Sequence, residues 1–115
     1  MTALEDFKRL SGKLFVDGGW TASASTAQLD VIDPATEDRI GHIADATDAE
    51  VDQAIAVANA ARKVWCAQDT RSRAVVLHDI AAAIRRDKAL YAEHLTREEG
   101  KPFKESVDEI SWCAT

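Results

Sequence analysis

The chain has 115 residues, of which 46% are apolar and 30% charged, a balance that suits one globular domain and excludes intrinsic disorder. Acidic side chains outnumber basic ones by 20 to 14, for a net charge of −6, and no basic run exceeds Arg85-Arg86, which argues against a nucleic-acid partner. No apolar run approaches the ~20 residues of a membrane helix. "MTALEDFKRL" lacks the apolar core of a secretion signal, and two cysteines are too few for a disulfide framework. The expected location is therefore cytoplasmic, with Cys66 and Cys113 as free thiols.

Residues 1–12 read as a polar lead-in, in which "LEDFKRL" forms a frayed helical turn. β segments follow over 13–44. "KLFVDGGW" (13–20) places apolar residues around Asp17-Gly18, a tight-turn dipeptide, because glycine accepts the positive φ of hairpin turns. "TASASTAQ" (21–28) reads as a loop. "LDVIDPATEDRIGHIA" (29–44) gives a strand, a turn at Asp33-Pro34 and a second strand near Arg39–Ile43, with the proline holding Asp33 extended.

From 45 to 115 the period is helical, and about four helices are expected. "TDAE" (47–50) is a capping box, and Val51, Ile55, Ala58 and Ala61 line one face with Trp65 beyond them. A second helix starts near Asp69 or Thr70 and carries Leu77, Ile80 and Ile84 at helical spacing. Asp87 caps a third helix with Leu90, His94 and Leu95 facing inward. Gly100 closes it from the left-handed C-terminal position. Pro102 suits the first turn of a fourth helix, whose apolar positions are Phe103, Val107, Ile110 and Ala114.

Two features point to an incomplete unit. Two hairpins alone make no stable sheet, and the last helical pattern breaks off at Thr115 without a stop signal. The expected fold class is thus α/β, incomplete: hairpin strands followed by helices, cut short at the C-terminus.

The residues offer little chemistry of their own. The five glycines (Gly12, Gly18, Gly19, Gly41, Gly100) never take the spacing of a phosphate-binding loop. His42, His78 and His94 fall on different elements, and neither cysteine has a partner at metal-ligand spacing. Cys66 lies at a helix C-terminus, where the dipole disfavours a thiolate, and Cys113 lies deep in an apolar helical stretch. Both read as small, partly buried residues rather than nucleophiles. Glu98-Glu99 and Asp108-Glu109 are sequence neighbours, so their side chains diverge by ~100° on a helix and share no site.

Taken in order, "LFVDGGW", "VIDPATEDRIG", "TDAEVDQAIAVANAARKVW", "TRSRAVVLHDIAAAIRRDK" and "LTREEGKPFKES" resemble the N-terminal part of the NAD(P)-dependent aldehyde dehydrogenase family, over residues 13–115. The resemblance covers about the first quarter of such an enzyme, whose coenzyme and catalytic domains follow. It implies NAD or NADP as cofactor of the parent enzyme and an oligomeric assembly. The parent reaction is thiolate attack on an aldehyde, hydride transfer to the nicotinamide and hydrolysis to the acid.

The family's catalytic cysteine, general base, oxyanion ligand and coenzyme-binding residues have no counterpart here, so the chain alone is expected to bind no coenzyme. Two lesser roles carry over. The Ile32 carbonyl and Glu98 match positions that hold a structural monovalent cation in many relatives, although Glu98 replaces the more usual aspartate; a surface acid at a helix end is the alternative. Trp112 matches the helix lining the aldehyde entrance, with burial against the missing domain as the alternative.

Glu37 departs from the family's pattern, which has glycine after "PAT", so the turn is expected to form without that residue's freedom at positive φ. Two functions lead at this point, ahead of a small independent thiol enzyme using Cys66 or Cys113. The chain is an N-terminal scaffold segment of an aldehyde-oxidising enzyme, or it is a non-catalytic binding module that pairs with a full-length relative or with its own missing half.

Overall fold

The computed structural model describes residues 2–115. The lead-in is not frayed: Ala3–Leu10 form helix α1, so the chain has five helices among its described residues. Thr2 Oγ1 accepts the Glu5 amide at 3.3 Å, and the Glu5 carboxylate accepts the Thr2 amide at 2.7 Å. This reciprocal cap satisfies two helix-end donors. A short charged segment looks solvated in isolation. Here packing against the last strand and the fourth helix holds it, with Ala3 and Asp6 buried.

Strands β1 (Lys13–Val16) and β2 (Gly19–Ala22) pair antiparallel across Asp17-Gly18. Both turn residues have positive φ, 54° and 75°, as a type I′ hairpin requires. Phe15 and Trp20 face each other across the pair with ring centres 5.1 Å apart. Strands β3 (Gln28–Ile32) and β4 (Arg39–Ala44) form a second antiparallel pair with a bulge at Val31/Ile32, and the two hairpins stay separate two-stranded sheets.

The turn between β3 and β4 departs from expectation. Glu37 adopts φ 63°, in the left-handed region that a glycine would occupy without cost. Three hydrogen bonds impose it: Glu37 N to Asp33 O at 2.8 Å, Asp33 N to Asp38 O at 2.9 Å, and Ala35 N to the Asp33 carboxylate at 2.9 Å. The turn geometry prevails over the preference of residue 37.

Helices α2 (Asp48–Ala67), α3 (Thr70–Arg86), α4 (Lys88–Glu99) and α5 (Phe103–Cys113) follow. The capping box at Thr47 and Glu50 forms as the sequence implies, and Asp69 caps α3. Asp87 sits at the α3–α4 junction but does not cap. Its carboxylate is drawn to Arg86, with Nε at 3.1 Å and Nη2 at 2.7 Å. Pro102 precedes α5 at its N-cap instead of entering its first turn, and Gly100 ends α4 with φ 74°.

These elements spread widely. The radius of gyration is 16.6 Å, against about 13 Å for a compact domain of this length. The accessible surface is 8174 Å², against roughly 6,200 Å² for a monomer of this mass. Among the described residues the buried apolar side chains are Ala3, Ile40, Ala92 and Ala114, all but one of them alanine. The apolar stripes expected on the helices do form, but Val51 and Ile55 on α2 and Leu77 and Ile80 on α3 are exposed, and Val64 is 68% exposed. α2 packs sparsely on the rest of the chain.

Two outcomes follow from this geometry. Replacing Glu37 with glycine removes the left-handed penalty of ~1–2 kcal/mol at a backbone-entropy cost of ~0.5–1 kcal/mol. The Glu37→Gly chain is therefore expected to raise the urea midpoint by about 0.5–1 kcal/mol of stability, and an unchanged or lower midpoint contradicts the strain.

The Glu50 carboxyl is lowered from 4.5 to about 2, first by the Thr47 backbone amide and then by that of Ala24. Because its folded value is depressed, the stabilisation is complete above pH 4.5 and is lost as pH falls toward about 2. A carboxyl chemical-shift titration of Glu50 is expected to show its midpoint near about 2 rather than 4.5.

Candidate functional site

Helix α4 joins the pieces, because its polar side chains reach in different directions. Glu93 accepts the Ala3 amide of α1 at 3.4 Å, and Thr96 shares a 2.8 Å hydrogen bond with Ser106 of α5. Ser106 and Ala92 are fully buried; such small side chains let two helix backbones approach closely.

His94 Nε2 lies 3.4 Å from the Asp6 carboxylate, and the His94 ring meets Phe7 edge-on at 4.6 Å. Arg9 holds the other Asp6 oxygen through Nε at 3.1 Å and Nη2 at 2.8 Å. These hydrogen bonds, aided by His94 and opposed by burial, hold the Asp6 carboxyl below the usual carboxylate range. Lys101, just beyond α4, pairs with Glu99 at 3.1 Å and with Glu109 of α5.

The β3–β4 turn docks on the C-terminal end of α4. Asp33 is 5% exposed; one carboxylate oxygen closes the turn, and the other lies 3.6 Å from Arg97 Nη1. Pro34 rests against Gly100 so closely that a Cβ there would sit 2.7 Å from the proline Cγ. The buried acids Asp6 and Asp33 already have cationic partners, which is structural work rather than proton transfer.

The two candidate cation ligands sit near this junction. Ile32 ends β3 directly before Asp33, and Glu98 follows Arg97 on α4, so their sequence neighbours meet in the Asp33–Arg97 pair. Glu98 itself is exposed and lines a cavity of about 220 Å³ together with Val31, Phe7, Trp20, His42 and His94. The Ile32 side chain is absent from that lining. Among the described residues no three His, Cys, Asp or Glu side chains cluster as a metal site. Trp112 lies apart from the junction, near the end of α5, and is 74% exposed.

The cysteines differ from expectation. Both are exposed, and Cys113 is the last residue of α5 instead of lying deep within a helix. Of its apolar neighbours, Ala114 is buried and Ile110 half-buried, whereas Trp112 and Cys113 face outward.

The helix N-termini bear on the coenzyme. Phosphate groups favour helix starts with free amides and no acid. Here α1 carries Glu5 and Asp6, α2 carries Asp48 and Glu50, α3 is capped by Asp69, and α5 carries Glu105 in its first turn, whereas α4 has neither a first-turn acid nor a side-chain cap. No glycine-rich loop precedes any of these helix starts.

Sequence reasoning missed Asp6, Asp33 and Ser106 as buried polar groups. Signals existed for two of them. Asp33 before Pro34 is an Asx-turn start, and Asp6 with Arg9 is an i, i+3 ion pair. Ser106 carried none, since its partner Thr96 lies on another helix.

Comparison with known proteins gives a consistent result. A model described as "Aldehyde dehydrogenase family" matches residues 20–115. NADP-dependent glyceraldehyde-3-phosphate dehydrogenase of Arabidopsis thaliana is 35% identical over 109 residues, covering 89% of this chain and 22% of the relative. Aminoaldehyde dehydrogenase 2 of Solanum lycopersicum is 36% identical over 100 residues, covering 85% of this chain and 20% of the relative. Among solved structures, aldehyde dehydrogenase C of Pseudomonas syringae, complexed with NAD+ and octanal, superposes with a TM-score of 0.87 at 30% identity. That match covers 92% of this chain and 22% of the other. The chain thus spans about a fifth of the length of the relatives it matches.

The Pro34–Gly100 contact yields a sharp expectation. Gly100→Ala combines positive φ with the clash and is expected to cost about 2–3 kcal/mol in urea denaturation. Pro34→Ala removes the clashing Cγ, so in the double variant the cost should fall by at least about 1 kcal/mol below the sum of the single changes. Simple additivity would show that the contact does not bear on stability.

Proposed function

The chain belongs to the aldehyde dehydrogenase family, and on that premise we propose that it is the N-terminal segment of an enzyme that oxidises an aldehyde to the acid with NAD or NADP. Its own part is scaffold: it carries no catalytic group and binds no coenzyme by itself. The observation that carries this is the mismatch between match and reach. Nearly the whole chain aligns with its relatives, yet it spans about a fifth of them, and its helices leave their apolar stripes uncovered.

The acid-bearing helix starts support the absence of a phosphate cradle. Exposed side chains on α2 and α3 suit burial against the remainder of an enzyme chain or against subunits of a homo-oligomer. Within this reading the Ile32 carbonyl and the Glu98 carboxylate are two oxygen ligands of a structural monovalent cation. Trp112 stands at the aldehyde entrance. A cytoplasmic location goes with it, and no helix among the described residues is long and apolar enough to cross a membrane.

The purified chain, given aldehydes and either NAD or NADP, is expected to form no reduced nicotinamide. Sustained turnover that disappears in Cys66→Ser or Cys113→Ser would overturn the scaffold assignment. Size-exclusion chromatography with a full-length relative separates the other possibility: a single stoichiometric complex would mark a dedicated assembly module.

A further inference from the structure

The strongest unassigned feature is a single carboxylate that ties two otherwise separate parts of the molecule. Glu50, in the first turn of α2, collects four donors. Its Oε2 accepts the Thr47 amide, the Thr47 hydroxyl and the Ser23 hydroxyl, each at 2.9 Å, and its Oε1 accepts the Ala24 amide at 2.7 Å. Thr47 belongs to the helix start, whereas Ser23 and Ala24 lie in the loop that leaves β2. One side chain therefore caps a helix and grips the hairpin loop together.

Little else fixes the angle of α2. The helix packs sparsely on other elements, and its apolar residues Val51, Ile55 and Val64 are exposed. Where its first turns approach the β1–β2 hairpin, an open cleft of about 510 Å³ intervenes, lined by Leu14, Val16, Thr21, Glu50 and Gln53 among others. The interior is not packed there, so side-chain interdigitation cannot set the orientation. Multiply accepted charged hydrogen bonds are among the stronger polar contacts available.

We infer that Glu50 is a clasp that sets the direction in which α2, with its uncovered apolar stripe, leaves the β part of the molecule. When the clasp opens, α2 stays helical and swings into the cleft. The inference concerns this chain's own mechanics and holds whether or not the chain is enzyme scaffold.

The test measures one distance. Nitroxides are placed at Asp38→Cys, in the β3–β4 turn, and Asn59→Cys, on the exposed side of α2, with Cys66→Ser and Cys113→Ser as background. The labelled chain is diluted with unlabelled chain so that only intramolecular distances count. Pulsed dipolar spectroscopy should give one narrow distribution.

Glu50→Ala is expected to roughly double its width, as one state becomes several, while circular dichroism keeps the helical signal. Thr47→Ala loses a cap hydroxyl but retains the loop bonds, so its distribution should stay narrow. A second variant acts from the other side: Ser23→Ala with Ala24→Pro removes both loop donors and leaves the capping box whole. It should broaden the distribution with helix content intact, which decides the matter even if Glu50→Ala unwinds α2. A narrow distribution in the loop variant, or equal broadening in Thr47→Ala, overturns the clasp.

Discussion

The seating of the Asp33-Pro34 turn on the C-terminal end of α4 is the contact around which the other pieces arrange themselves. It combines a steric fit, proline against a glycine that has no Cβ, with an ion pair between a buried acid and Arg97. Once that end of α4 is placed, its remaining polar side chains find their partners on α1 and α5. The β3–β4 hairpin, which two strands alone could not stabilise, gains a helix to lean on.

Several local signals were legible in the sequence. The Asp17-Gly18 turn, the Thr47 capping box and the Gly100 terminator each depend on a few adjacent residues and appear as the sequence implies. Two misread elements show the limit. α1 looked frayed because its stability comes from β4 and α4, far along the chain. Asp87 looked like a cap because its residue type suits one, but Arg86 beside it competes for the same carboxylate. Glu37 is a third case, in which a network of turn hydrogen bonds overrides residue preference. Of the candidate site, the sequence supplied positions from a resemblance. It could not supply the Asp33–Arg97 pair, which joins segments far apart in the chain.

The polar groups are largely committed to one another, and the apolar ones are not. Buried acids are neutralised by neighbouring cations, and four of the five described helix starts carry a capping carboxylate or an acid in the first turn. What stays uncommitted is apolar: the exposed stripes on α2 and α3. A catalytic domain shows the reverse pattern, with a closed core and a few unsatisfied polar groups converging on a pocket.

The touch between Pro34 and Gly100 also constrains heredity. A side chain gained at position 100 meets the proline ring at 2.7 Å, so the clash is relieved only after position 34 has shrunk. In the opposite order, loss of the ring gives up the fit against Gly100 but clears the space, while the left-handed φ of 74° at position 100 still disfavours a side chain there. Evolution at these two distant sites is therefore directional, and swapping either motif between homologues should succeed only when both travel as a pair.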